Sequence, residues 1–225
     1  MSFLRNRFIA HRGIYDNKRI YENTTSAFLR AIKNNSIIEV DLRMLKDGTI
    51  ICFHDENMER MLHVEGKIER LTYDELCYIA RYQIPTFSML LELTHGTVPL
   101  LIELISKTKK NALEREVARM LDDYRGDFAI QSFNIKTLKW FYKNRVHFIT
   151  GYIIGKRNYR KEPFFKKFDF LNIKIGLYND KKIKKIREDK FVLGWGVTNR
   201  DEYDRYANVF DNLVVDNLLD IIDSK

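Results

Sequence analysis

Cysteine is almost missing from this chain of 225 residues, which holds only Cys52 and Cys77. Two thiols build no disulfide framework, which excludes the small disulfide-stapled classes and suits a reducing compartment. Proline is nearly as scarce, at three, and the ten glycines are scattered. No linker or low-complexity segment therefore marks a boundary, and one domain over residues 1–225 is expected. No apolar run approaches the roughly 20 residues that span a bilayer. Residues 1–7 lack the apolar stretch of a signal peptide, so the expected location is cytoplasmic.

What is present is an ordinary core and an excess of positive charge. Hydrophobic residues make up 45%, enough for a sizeable core, and Lys+Arg exceed Asp+Glu by 39 to 31, a formal charge of +8. Such a surface attracts phosphates, acidic headgroups or nucleic acid, or it is solvated lysine. The basic residues are dispersed and match no nucleic-acid module, so nucleic acid is not an expected partner.

Short apolar runs recur at residues 7–10, 37–42, 50–54, 99–105, 128–132, 147–154, 170–173, 191–197 and 213–216. Runs of this length, apolar on both faces, are typical of buried parallel strands. Helical patterns lie between most of them, at 25–34, 112–124, 135–143, 181–188 and 200–210. This alternation predicts an α/β barrel rather than an open sheet. The one break falls between 42 and 50, too short for a crossover helix. There Asp47-Gly48 signals a two-residue primed hairpin turn, which predicts that paired positions sum to 95 and that His54 faces Asp41. Eight parallel strands and one antiparallel arm are thus expected. Residues 56–96, with helical patterns at 72–79 and 87–93, read as a small insertion over the rim.

The chemistry concentrates between Ile9 and Arg60. Glu39 and Asp41, two apart on a strand, share a face, and like charges so placed call for a cation. Glu103, inside an apolar strand, is a third such carboxylate. Three carboxylates without cysteine favour a hard cation, Mg²⁺ or Ca²⁺. Each alone reads equally well as a ligand or as a salt-bridged structural group. His11 ends the first strand, where barrel active sites form, and Arg12 beside it offers a planar donor fork suited to phosphate. His11 and His54 each read as a catalyst or as a hydrogen-bonded structural histidine. His63, His95 and His147 have no supporting neighbours and read as surface or packing residues.

Read together, Ile9-Ala10-His11-Arg12-Gly13, Glu22-Asn23-Thr24, Glu39-Val40-Asp41, Lys46-Asp47-Gly48 and His54-Asp55 resemble the glycerophosphodiester phosphodiesterase family. Ile84-Pro85-Thr86, Ile102-Glu103-Leu104, Gln131-Ser132-Phe133 and Trp195-Gly196-Val197-Thr198-Asn199 follow in the same order. The resemblance implies a (β/α)₈ TIM barrel of the phospholipase-C-like phosphodiesterase type. It implies hydrolysis of a small glycerophosphodiester to sn-glycerol 3-phosphate and an alcohol. Carried over residue by residue, Glu39, Asp41 and Glu103 become metal ligands, His11 and His54 the acid/base pair, and Arg12 the phosphate clamp. Trp195 matches the aromatic residue near the glycerol end.

Two positions depart from that pattern. The family's Glu-Ile-Lys is Glu103-Leu104-Ile105 here, which removes a phosphate-facing lysine; Lys107, on the same strand face, is the candidate replacement. The usual Thr-Asp near the last strand is Val215-Asp216. An alternative within the fold is a lysophospholipase D. Basic and aromatic residues mix at 157–160 and 164–168, which reads either as weak contact with an anionic membrane surface or as an ordinary amphipathic helix. A non-enzymatic binder of anionic surfaces or nucleic acid is the remaining, least favoured reading.

Overall fold

In the computed structural model, which describes residues 1–105, 111–158, 167–187, 189–216 and 218–222, the sheet closes on itself. Its strands are β1 (Ile9–Ala10), β2 (Ile37–Met44), β3 (Ile50–Cys52), β4 (Leu100–Leu104), β5 (Phe128–Ser132), β6 (Thr150–Ile154), β7 (Phe170–Lys174), β8 (Phe191–Val197) and β9 (Asn212–Val215). They run in the order β1-β9-β8-β7-β6-β5-β4-β2-β3, and β1 also pairs with β2, which completes the ring. Pairs within the ring are parallel, and β3 lies antiparallel on β2. The protein is a (β/α)₈ barrel with one added arm.

The helices are α1 (Thr25–Lys33), α2 (Glu59–Leu62), α3 (Tyr73–Ile79), α4 (Phe87–Thr94), α5 (Ala112–Asp122), α6 (Ile135–Asn144), α7 (Lys181–Arg187), α8 (Arg200–Tyr206) and α9 (Leu218–Ile222). Several begin where a side chain satisfies an otherwise orphaned backbone N–H. Thr24, Thr86, Asn134 and Asn199 accept such bonds, and Thr72 with Glu75 forms a reciprocal capping box. His63 and His95 sit exposed at helix C-termini in the left-handed conformation. His147 is also exposed, so all three are surface residues.

Strand alternation separates two cores. Outward residues such as Ile38, Val40 and Ile102 pack against Phe28, Val117 and Leu138 of the helices. Inward residues Ile9, Ile37, Leu101, Ala129, Phe170, Leu193 and Val214 fill the barrel. Moving two residues along each of these strands gives His11, Glu39, Glu103, Gln131, Asn172, Trp195 and Asp216. An apolar plug thus carries a polar layer at the C-terminal mouth, where barrel chemistry is placed.

Between β3 and β4, α2, a 3₁₀ turn at Ile68–Arg70, α3 and α4 follow one another. Most of this stretch has its own small core, in which Met58, Leu62, Ile68, Leu76 and Ile84 close over Leu45, Ile51 and Phe53 of the hairpin.

The hairpin register differs from the expectation. Leu42 pairs with Cys52, Arg43 with Ile51 and Met44 with Ile50, so partners sum to 94 and His54 is not opposite Asp41. The reason lies in the turn. Leu45 N bonds Thr49 O at 2.9 Å and closes a three-residue loop, Lys46-Asp47-Gly48. In this loop Gly48 has positive φ (+88°) and Asp47 does not, whereas an Asp-Gly type I′ turn needs both. A one-residue shift would send His54 to the wrong face, but β3 has already ended at Cys52. Lys107 and residues 159–166 of the basic-aromatic stretch lie outside the described residues. No helix among the described residues is long and apolar enough to cross a membrane.

Candidate active site

Glu39, Asp41 and Glu103 converge. Each offers an oxygen within 4.8 Å of the others, and all three are buried. β2 supplies the first two, and the parallel pairing that sets Glu103 beside Asp41 supplies the third. Burial, then the charges of Asp41 and Glu103, holds the Glu39 carboxyl well above the usual range. Glu103 is raised likewise, by burial and then by Asp41. Asp41 goes the other way. Its burial is outweighed by Arg12, His54 and His11 and by the Asn23 hydrogen bond, so it stays ionised. Its Oδ1 is buried without a hydrogen-bond partner. A buried all-oxygen cluster with an orphaned acceptor and two carboxyls driven toward neutrality fits a hard divalent cation.

Both histidines are gripped through Nδ1. His11 Nδ1 pairs with Asp216 Oδ1, which barrel closure brings beside β1, while its Nε2 lies 3.8 Å from Glu39 Oε2. His54 Nδ1 lies 2.6 Å from Asp55 Oδ1. In each case the orienting carboxylate leaves Nε2 as the ring nitrogen open to another partner. Both imidazoles are close enough to Asp41 to help lower its carboxyl.

A wire of ion pairs replaces the expected hairpin register as the means of holding His54. Arg12 Nε is 3.0 Å from Asp41 Oδ2, and its Nη1 donates to Glu22 Oε1 at 2.7 Å. Arg60 of α2 grips both oxygens of Glu22, at 2.9 and 2.6 Å, and donates through Nε to Asp55 at 2.6 Å. Burial would raise Glu22, yet Arg60 and Arg12 hold it down at about 2. Arg12 itself has φ +59°, and Gly13 at +81° lets the turn pass so close to α1 that a Cβ would stand 2.8 Å from the Ala27 carbonyl carbon. That turn aims the Arg12 N–H at Glu39 Oε2, at 3.1 Å.

Behind Glu39 stands a second support: Gln131 donates to its Oε1 at 3.2 Å, and Asn172 donates to Gln131 at 2.9 Å. Trp195 lies across the mouth on β8, with Nε1 bonded to Ile154 O at 3.0 Å. His11, Arg12, Glu39, Asp41, Glu103 and His54 are therefore gathered, and Trp195 borders the same opening. Asp216, Asp55, Glu22, Arg60, Gln131 and Asn172 carried no assigned role in the sequence. The available signal was positional, for Gln131, Asn172 and Asp216 each stand two residues beyond an apolar plug residue.

Comparison with known proteins agrees with this geometry. YhdW of Bacillus subtilis, provisionally named a glycerophosphodiester phosphodiesterase, is 28% identical over 211 residues, covering 85% of this chain and 86% of its own. The glycerophosphodiester phosphodiesterase of Thermotoga maritima superposes with a TM-score of 0.82 at 21% identity, over 98% of this chain and 99% of that one. An Oleispira antarctica phosphodiesterase, solved with its product sn-glycerol-3-phosphate, gives 0.78 at 20% identity over 98% of both chains. These two likenesses concern the fold. The glycerophosphoryl diester phosphodiesterase family matches residues 11–216. That match starts at His11 and stops at Asp216, the pair that barrel closure joins, and the chain belongs to the glycerophosphoryl diester phosphodiesterase family.

Proposed function

We propose that this phosphoric diester hydrolase cleaves glycerophosphodiesters to sn-glycerol 3-phosphate and an alcohol, with Glu39, Asp41 and Glu103 holding one Mg²⁺ or Ca²⁺. The observation that carries the reading is the meeting of these three carboxylates with two carboxylate-oriented imidazoles at one mouth. When bound, the cation supplies Lewis-acid neutralisation of phosphoryl charge.

The chain's own residues do the rest. His11, its Nδ1 proton held by Asp216, presents the Nε2 lone pair and takes the proton from the attacking oxygen, either of water or of the neighbouring glycerol hydroxyl; in the second case water then opens the cyclic phosphate, with the two imidazoles exchanging roles. His54, oriented by Asp55 and protonated at Nε2, returns a proton to the leaving alkoxide. Arg12, fixed by Asp41 and Glu22, turns the remainder of its donor fork to a phosphate oxygen. Trp195 packs against the glycerol end, and Lys107 fills the phosphate-facing lysine position vacated at Ile105. Two free cysteines, one of them exposed, support a cytoplasmic setting for the single domain.

A second reading, lysophospholipase D, is favoured by the apolar Phe133 and Trp195 rings at the mouth, which offer a single acyl chain a surface. A metal-titrated assay on a panel of glycerophosphodiesters and lysophosphatidylcholine separates the two. Release of sn-glycerol 3-phosphate that requires a divalent cation is expected. Failure to release it from any diester with any metal removes the proposal.

A further inference from the structure

The far wall of the mouth, above β5 to β8, contains a cavity of about 500 Å³. Its floor is aromatic, with Trp195 edge-on to Phe133 at 5.7 Å between ring centroids. Gly155 leaves the space between the rings open, since a Cβ there would touch both at 3.4 and 3.5 Å. Its rim is cationic: Lys156 and Arg157 are exposed, and Lys174 Nζ stands 5.1 Å from the Trp195 ring centroid. No carboxylate lies among the described residues that line it.

The contrast with the catalytic half is chemical. There Arg12 and Arg60 are matched by Asp41, Glu22 and Asp55. Here three cations line a space to which the described lining residues bring no anion. The cavity is stacked on the catalytic layer: Phe133 and Lys174 stand two residues beyond Gln131 and Asn172, which support Glu39. Two strand residues cover roughly 6.6 Å, about the reach of one glycerol unit.

We infer that this cavity binds a second phosphate of the substrate, one glycerol unit from the scissile one, through Lys156, Arg157 and Lys174. The inference rests on the hydrolase reading above and names its substrate class: glycerophosphodiesters that carry a further phosphate, such as short oligomers of glycerol phosphate.

The test compares kcat/KM for glycerophosphocholine, lysophosphatidylcholine, glycerophosphoglycerol and glycerophosphoglycerol with a further phosphate on the glycerol that would lie against Trp195, at fixed free metal. At low salt the phosphate-bearing diester should exceed the choline ester by about tenfold or more, and the advantage should shrink in 0.5 M NaCl. In a folded K156Q/R157Q/K174Q variant the ratio should fall to within about threefold of unity. Equal values in the wild type, a preference that survives in the variant, or faster turnover of lysophosphatidylcholine overturns the inference. If no diester is hydrolysed, the hydrolase reading fails instead. Calorimetric titration of the phosphate-bearing diester then still decides the subsite: weaker binding to the triple variant supports it and equal binding overturns it.

Discussion

Each imidazole has a carboxylate behind it and a shared electrostatic centre in front, and the proposed chemistry stands or falls on those contacts. Alanine at His11 or His54 should lower kcat by roughly 10²–10⁴-fold while circular dichroism stays unchanged. Asp216→Asn should lower kcat far more than it raises KM, by about 10²–10⁴-fold, because an amide can hold the His11 ring in the wrong tautomer. Glu22 shows how a residue without a catalytic duty supports the site. Its carboxyl is held at about 2 against an ordinary 4.5 by Arg60 and Arg12 despite burial. The unfolded chain therefore binds this proton first. The pair's contribution is complete above about 4.5 and is lost as pH falls toward 2, at most about 3 kcal/mol. In denaturation between pH 6 and pH 3, the stability gap between wild type and Glu22→Gln should narrow; a constant gap removes the assignment. The spacing of Glu39 and Asp41 made their shared face legible from sequence. Asp216 was not legible as a partner of His11, because 205 residues separate them and only closure of the ring joins them.

Among elements, the two glycine turns that flank the acids differ in what a side chain would meet. Gly13 is in the left-handed region and abuts the α1 backbone, whereas Gly48, also left-handed, has nothing within 4 Å of an added Cβ. Gly13→Ala should therefore cost about 2–4 kcal/mol in urea denaturation, and Gly48→Ala only about 1–2. Similar losses at the two sites would mean that the close packing on α1 is not what selects Gly13. Strand positions were readable because each is a short apolar run, and α3 and α4 because helical patterns stand at 72–79 and 87–93. The hairpin register was misjudged by one residue because Asp-Gly serves both a two-residue primed turn and the end of a three-residue loop. Closure of the Leu45–Thr49 bond, with α3 docked on Asp47 through the Tyr73 N–H at 2.8 Å, selects the latter.

At the scale of the whole molecule, the buried Glu39 and Glu103 oppose folding in their ionised form beside Asp41 unless a cation joins the three. Chelation should lower the melting temperature, and saturating divalent cation should raise it, by about 2.7 kcal/mol of stability at a hundredfold excess over Kd. Glu39 and Glu103 are raised, so protons compete with the metal there. Affinity should increase as pH rises through their titration range, which calorimetry at several pH values measures; a flat profile argues against these ligands. The sequence by itself determined the barrel, since alternating short apolar runs and helical stripes admit few other ways to bury both faces of eight strands. It also set Glu39 and Asp41 on one face, because residues two apart on a strand share a side. Only the tertiary structure decided who holds whom. Asp216 reaches His11 through ring closure, and Arg60 ties His54 to the acids from an insertion with its own core. Such contacts depend on how distant elements dock, and local spacing carries no record of that.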